Sequence, residues 1–360
     1  MKIVTIIGAR PQFIKAAVLS REFFKHHLEE VLVHTGQHFD HNMSEIFFSS
    51  LNLPKPKYNL GISSSTHGEM TGKMIYEIEK ILLFEKPDFV LVYGDTNSTL
   101  AGAIAASKIN IKIIHVEAGL RSFNTQMPEE VNRILTDRIS SLLFCPTISS
   151  FQNLVLEGFE NFDCKFYNSG DIMFDSVRFF SDSLSFSEDI VQGIALKQNG
   201  YVIATIHRQE NTNLNSLKII IKALNEINKS IPVILPIHPR TKKLISDSEI
   251  YIDFKVIDPI GYLEMLQLLK FCKAVVTDSG GLQKESFFCK KPCLVLRDET
   301  EWIELVKIRA VVLSNIISDQ ILENFFNLIN DDINFEYNFY GDGHAARFIV
   351  NEILSRDEKE

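Results

Sequence analysis

The densest chemistry in the chain lies between Glu117 and Arg133. Three carboxylates (Glu117, Glu129, Glu130) and two arginines (Arg121, Arg133) fall within seventeen residues there. Glu117 arrives where the apolar strand Lys112–Val116 should end, and Pro128 opens a helix carrying Glu129, Glu130 and Arg133. An ionised carboxylate at the end of a buried strand is costly unless paired, and Arg121 or Arg133 is at hand to pair Glu117. A structural ion pair is one reading; a base whose pKa is set by partial burial is the other. Glu129 sits in the first helical turn with Arg133 four residues on, which would also serve as a surface capping arrangement. Two carboxylates reaching one cleft suit acid–base work on a weakly acidic carbon.

Similar groups follow other apolar runs. Gly8, Arg10, Pro11 and Lys15 follow Lys2–Ile7, and a turn, a helix start and two cations make an anion site, most simply for phosphate. A solvated helix start fits that spacing equally well. Gly94-Asp95-Thr96 follows Phe89–Tyr93, where helix capping is the weightier role for Asp95 or Thr96 from position alone. His207 follows Tyr201–Ile206 and His238 follows Val233–Pro236, both better placed for a ligand than for a core. Asp278-Ser279-Gly280-Gly281 follows Ala274–Thr277. Paired glycines behind a serine at a helix start can hold a phosphate through backbone N–H groups, with Glu285 near enough for a ribose diol; a plain glycine-rich turn is the alternative. No G-x-G-x-x-G follows the first strand, and Gly68 and Gly72-Lys73 miss the Walker A spacing. His34, His38, Asp40 and His41 have loose metal-ligand spacing without a supporting motif, so no metal is expected.

These groups need strands to carry them. Apolar runs at Lys2–Ile7, Glu30–His34, Phe89–Tyr93, Lys112–Val116 and Leu142–Cys145 alternate with helical stretches at Ile14–Phe24, Ser44–Leu51, Met70–Phe84, Ser98–Ser107, Pro128–Ile139 and Ser149–Glu157, which makes a parallel, doubly wound sheet. The pattern pauses over the Ser- and Asp-rich stretch 181–198. It resumes from Tyr201 to Leu296 as a second Rossmann-like α/β domain, and a helix from Ala345 to about Leu354 remains over. In open α/β sheets ligands bind beyond the carboxyl ends of the strands, so two such domains facing each other would enclose a cleft.

A chain of 360 residues suits two ordinary domains, and 45% hydrophobic with 23% charged residues is a globular composition. The net charge of -9 argues against nucleic acid as a partner, and no apolar run approaches a membrane span. Five scattered cysteines read as reduced thiols, Cys289 and Cys293 among them, and point to the cytoplasm.

Gly8-Ala9-Arg10-Pro11-Gln12-Phe13-Ile14-Lys15, Gly94-Asp95-Thr96, His115 to Arg121, Pro128-Glu129-Glu130-Val131-Asn132-Arg133, Thr277 to Gly281 and Tyr340-Gly341-Asp342-Gly343 together resemble the non-hydrolysing UDP-N-acetylglucosamine 2-epimerases, in order over essentially the whole chain. The resemblance implies the two-domain glycosyltransferase-B architecture, with residues 1–170 carrying the catalytic carboxylates, 171–340 binding UDP, and 341–360 returning to the first domain. It implies a homodimer and no cofactor, since neither metal nor nicotinamide is required. In the family, UDP leaves C1 as a proton leaves C2, giving a 2-acetamidoglucal, and UDP adds back with protonation of the opposite face. By motif, Asp95, Glu117 and Glu129 are the carboxylates implicated in catalysis, with His207 and Lys15 beside the diphosphate or sugar. Arg133 meets sugar or phosphate, and Arg10, His238, Ser279, Gly280, Gly281 and Glu285 hold UDP. Arg121-Ser122-Phe123-Asn124 and Arg297 to Trp302 look closer to epimerases of UDP-2,3-diacetamido-2,3-dideoxyglucuronic acid, which serve surface polysaccharide synthesis, than to those of UDP-N-acetylglucosamine. Gln12, where members acting on UDP-N-acetylglucosamine commonly have Glu, would remove a negative charge near an acidic sugar. A retaining glycosyltransferase of the same fold is the rival class.

Overall fold

The computed structural model describes residues 1–37, 48, 50–63, 66–187, 191, 195–208, 210–237, 239–248 and 250–357. His38, Asp40, His41 and His238 lie outside the described residues, as does most of the helix expected over Ser44–Leu51. The chain divides into two compact units, Met1–Ser176 with Asn338–Glu360, and Val177–Tyr337.

The first unit holds strands β1 (Lys2–Ile7), β2 (Glu29–His34), β3 (Tyr58–Asn59), β4 (Phe89–Tyr93), β5 (Lys112–Val116), β6 (Leu142–Cys145) and β7 (Lys165–Asn168), in the order β3-β2-β1-β4-β5-β6-β7. All of its pairings are parallel. Helices α1 (Arg10–Lys25), α2 (His67–Glu85), α3 (Asn97–Lys108), α4 (Pro128–Ile139) and α5 (Ile148–Leu156) join them, and α6 (Ile172–Asp182) contains the division between the units. The central strands read as unbroken apolar runs because helices cover both faces of the sheet. On one face Val4, Ile6, Val90 and Val92 pack against Met74, Ile78 and Leu82 of α2 and the alanines of α3.

The second unit repeats the plan. Strands β8 (Val202–Thr205), β9 (Val233–Pro236), β10 (Lys255–Ile257), β11 (Ala274–Thr277), β12 (Cys293–Val295) and β13 (Val311–Leu313) lie in the order β10-β9-β8-β11-β12-β13, again parallel. Its helices are α7 (Leu214–Asn228), α8 (Pro239–Asp247), α9 (Tyr262–Phe271), α10 (Gly280–Phe288), α11 (Ile303–Lys307) and α12 (Ser318–Asn330). The sequence reading ends this alternation at Leu296 and so omits β13 and α12. Yet Ile321, Phe325 and Leu328 of α12 recur at helical spacing and are wholly buried beside Leu217, Ile220 and Leu224 of α7. In the first unit β3 and β7 were also unforeseen, β3 being two residues long and β7 (KFYN) without a buried residue. Among the described residues, no helix is long and apolar enough to cross a membrane.

The last helix, α13 (Ala345–Asp357), packs on α1. Asp175 holds its start, accepting hydrogen bonds from the Ala345 and Ala346 backbone N–H groups at 3.0 and 2.8 Å. Burial pushes the Asp175 carboxyl up to about 6, against the pull of those two N–H groups. The native chain therefore binds this proton more tightly than the unfolded chain does, and the group's contribution to stability grows as pH falls from about 6 to about 4. Asp175→Asn is expected to remove a pH-dependent contribution on the order of 2 kcal/mol over that interval. Urea unfolding of both proteins between pH 4 and 7 checks it; parallel stability profiles would contradict it.

Candidate active site

In each sheet the strand order reverses once, between β1 and β4 and between β8 and β11. Such switch points are where open α/β sheets leave a crevice beyond the carboxyl ends of their strands. Tyr93 pairs in register with Val116, so Gly94-Asp95 and Glu117 leave the sheet side by side. Thr205 pairs with Thr277, which does the same for His207 and Asp278.

At the first switch point Glu117 forms an ion pair with Lys15 of α1, the two side chains being 11% and 7% exposed. Neither arginine expected to pair Glu117 does so. Arg121 binds Asp137 at 2.7 Å and Glu157 at 2.6 Å, while Arg133 binds Asp95 and, at 3.1 Å, Glu130. The reason is the direction in which the strand end turns. Glu117 has φ +73°, its N–H and that of Ala118 both donate to the Phe144 carbonyl, and its carboxylate comes beside Gly94 and Lys15. Asp95 does not cap α3, because Thr96 does, accepting from the Thr99 N–H at 3.2 Å. Burial pushes the Asp95 carboxyl above its ordinary value, and the charge of Glu117 adds to the rise while Arg133 and Lys15 oppose it. Two carboxylates, an ammonium and a guanidinium thus meet in one cluster, with one carboxyl biased towards holding a proton.

At the start of α1, where an anion site is expected, the Gly8 and Ala9 N–H groups have a partner within the protein. Gln12 accepts hydrogen bonds from the Gly8 and Ala9 N–H groups at 2.8 and 3.0 Å, and its amide donates to the Tyr93 carbonyl, Thr96 and Thr99. Gly8 is required by packing, since a Cβ there would lie 2.1 Å from both Ser98 Oγ and Thr35 Oγ1. Gln12 is buried, with its amide engaged on both sides, so its visible work is to tie β1, β4 and α3 together. Arg10 is half-buried at the first position of α1.

Glu129 is exposed, and the i+4 pairing proposed with Arg133 is replaced by an i+3 pairing with its neighbour Glu130. Glu130 is fully buried and accepts from the Ser122 N–H and hydroxyl and the Phe123 N–H, all at 2.9 Å, so it anchors the loop between Glu117 and α4. Beneath this loop lies a polar frame that the sequence reading missed. His115 sits in the interior of β5 with Nδ1 2.7 Å from Asp137 and Nε2 2.7 Å from the Gly94 carbonyl. Asp137 also accepts from the Gly119 N–H and from Arg121. Asn132 donates to the Asp95 carbonyl at 2.9 Å. One signal was available: a histidine inside a strand buried on both faces must find polar partners.

At the second switch point Asp278 is wholly buried and accepts from His207 Nδ1 at 2.7 Å, from the His207 and Arg208 N–H groups, and from Asn211. Burial raises its carboxyl, but the hydrogen bonds and charge of His207 with the two N–H groups outweigh it and hold Asp278 below its ordinary value. The His207 side chain is 57% exposed, so Asp278 fixes one ring nitrogen and leaves the other edge open. Ser279 caps α10, accepting from the Leu282 N–H at 3.4 Å. Gly281 has open space where a Cβ would point, and at Gly280 the nearest atom is a Glu301 carboxylate oxygen 3.7 Å away. Neither has a positive φ. Neither packing nor backbone conformation therefore requires glycine at these two positions. Glu285 falls in the second turn of α10 and is half-buried.

The chain is similar to known proteins over nearly its whole length. The family model for UDP-N-acetylglucosamine 2-epimerase matches residues 21–354. The UDP-2,3-diacetamido-2,3-dideoxy-D-glucuronate 2-epimerase of Pseudomonas aeruginosa is 52% identical over 97% of this chain and 98% of its own. The crystal structure of the Methanocaldococcus jannaschii UDP-GlcNAc 2-epimerase in complex with UDP-GlcNAc and UDP is 40% identical, covers 99% of this chain and 100% of its own, and has a TM-score of 0.83. That of the Neisseria meningitidis UDP-GlcNAc 2-epimerase bound to UDP-GlcNAc is 32% identical, with a TM-score of 0.87 and coverage of 99% and 100%. Similarity of this extent, carried by sequence and fold together, makes the chain a member of the UDP-N-acetylglucosamine 2-epimerase family of isomerases.

Proposed function

We propose that the chain epimerises UDP-2,3-diacetamido-2,3-dideoxy-D-glucuronate at C2, to the D-mannuronate epimer, without net hydrolysis. UDP departs from C1 as a proton leaves C2, and the 2-acetamidoglucal so formed takes UDP back at C1 and a proton on the opposite face of C2. The observation that carries this reading is the pairing of Asp95 and Glu117 at the ends of adjacent strands, one with its pKa raised and the other held by Lys15. Such a pair can hold a proton on one carboxyl while the other accepts one. Glu129, exposed at the start of α4, is the third candidate carboxylate. Cleavage at C1 puts negative charge on the leaving diphosphate, and His207 with the Ser279–Gly281 turn suits that charge. Arg10, His238 and Glu285 complete the proposed UDP contacts. Assembly as a homodimer in the cytoplasm, feeding surface polysaccharide synthesis, belongs to the same reading.

The choice of the diacetamido uronate over UDP-N-acetylglucosamine rests on the 52% identical relative. The test is incubation with each UDP-sugar in D2O, followed by proton NMR. Deuterium should enter C2 of both epimers with no accumulation of free UDP, and the uronate should be turned over faster. Unlabelled sugar would exclude epimerisation by proton transfer at C2, and free UDP in proportion to product would make the enzyme a hydrolysing one. Preference for UDP-N-acetylglucosamine would overturn the substrate alone.

A further inference from the structure

We propose that Trp302 is a positioning residue for diphosphate recognition, holding the peptide plane that aims the Gly281 N–H at the ligand. The inference rests on the reading of the Ser279–Gly281 turn as the diphosphate site. Leu282 N–H is already capped by Ser279, so the Gly280 and Gly281 N–H groups are the ones that α10 leaves for a ligand. Neither has a hydrogen-bond partner among the described residues. In a planar trans peptide the carbonyl and the next N–H point in opposite directions, so fixing one fixes the other. Trp302 Nε1 donates to the Gly280 carbonyl at 2.9 Å, which sets the Gly280–Gly281 plane. Gln283 Nε2 donates to the Ser279 carbonyl at 3.2 Å and does the same for the Ser279–Gly280 plane.

Both donors are themselves held from one segment. Thr300 Oγ1 donates to Gln283 Oε1 at 2.6 Å and accepts from the Trp302 N–H at 3.3 Å. The Trp302 side chain is packed away from solvent, and Lys284 Nζ lies 4.3 Å from its ring centroid, a cation–π contact that keeps a positive charge near the turn. Glu301, the acidic group near Gly280, is balanced by Arg297 at 3.3 Å. A helix start with two bare glycines is intrinsically loose. Fastening its carbonyls from behind converts it into a rigid pair of donors, which is how preorganisation raises affinity for an anion.

Trp302 is the only tryptophan in the chain, so its emission reports on this turn directly. The experiment measures binding of UDP and of uridine by calorimetry to the wild-type protein, Trp302→Phe and Gly281→Ala, and follows wild-type fluorescence during the UDP titration. Trp302→Phe keeps an aromatic ring under Lys284 and removes the donor along with the pyrrole ring that carries it. It is expected to weaken UDP about fivefold, the worth of one hydrogen bond, while leaving uridine unchanged. Gly281→Ala is expected to weaken UDP by about tenfold or more, because its Cβ meets nothing in the protein but stands where the ligand approaches. Wild-type emission should change as UDP saturates. Unchanged UDP binding by Gly281→Ala would overturn the diphosphate reading, and the Trp302 inference with it. A loss in Gly281→Ala without one in Trp302→Phe would overturn the Trp302 role alone. Equal loss of UDP and uridine in Trp302→Phe, or emission indifferent to UDP, would also overturn that role.

Discussion

Glu117→Gln is expected to slow exchange of the C2 proton by about 10²–10⁴-fold, the usual worth of a positioned acid–base group, while UDP affinity changes by less than about twofold. The two outcomes separate because the proposed UDP contacts include no atom of Glu117. The substitution is a narrow probe, since Gln keeps the shape of the side chain and the Cβ that occupies a left-handed backbone conformation. A non-glycine residue there costs on the order of 1–3 kcal/mol, and a strand end that needed only to turn would carry Gly or Asn. That cost is the same in both proteins, so any difference between them comes from the charge.

The rival explanation is that Glu117 exists to neutralise Lys15. Removing one partner of a buried pair leaves an uncompensated charge and costs about 3–5 kcal/mol. The double variant Lys15→Met/Glu117→Gln removes both charges and should recover most of that stability. If Glu117 handles the proton, the double variant stays inactive although stable. Recovery of exchange in the double variant, or exchange within tenfold of wild type in the single one, would make the carboxylate structural.

The sheets were legible because their strands are buried on both faces and so appear as unbroken apolar runs; β4, β5, β6, β9 and β11 fall where those runs predict. The order of charges around the site was not. α4 carries Glu130, Asn132, Thr136 and Asp137 inward while Val131 and Leu135 are 40% and 46% exposed, the reverse of what its apolar pattern dictates. Sequence spacing placed Glu129 and Arg133 together, yet Arg133 turns to Glu130 and Asp95. Lys15 reaches Glu117 across 102 residues, a partnership that only the strand order β1-β4-β5 creates. Gly280 and Gly281 do open α10 behind Ser279, where their spacing puts a helix start.

The second large effect should come from a residue that touches no proposed ligand. Asp137→Asn is expected to destabilise the first unit by about 3–5 kcal/mol, because its carboxylate takes hydrogen bonds from His115, the Gly119 N–H and Arg121 at once. An amide has one acceptor and brings a donor of its own, so at least one of those three donors is left facing an N–H. The Arg121 side chain is 1% exposed and would keep only Glu157 and the Leu120 carbonyl. The consequence for catalysis follows from where the frame is attached. His115 grips the carbonyl of Gly94, next to Asp95, and Asp137 grips the N–H of Gly119, two residues past Glu117. Both carboxylates of the proposed site are therefore located by one buried ring and one buried carboxylate. Urea unfolding gives the stability loss, and rates measured at low temperature in stabilising osmolyte, corrected for the folded fraction, give the activity of the folded molecule. A rate per folded molecule tenfold or more below wild type shows that the frame sets the geometry of Asp95 and Glu117, whereas an unchanged rate would reduce it to a stabilising network.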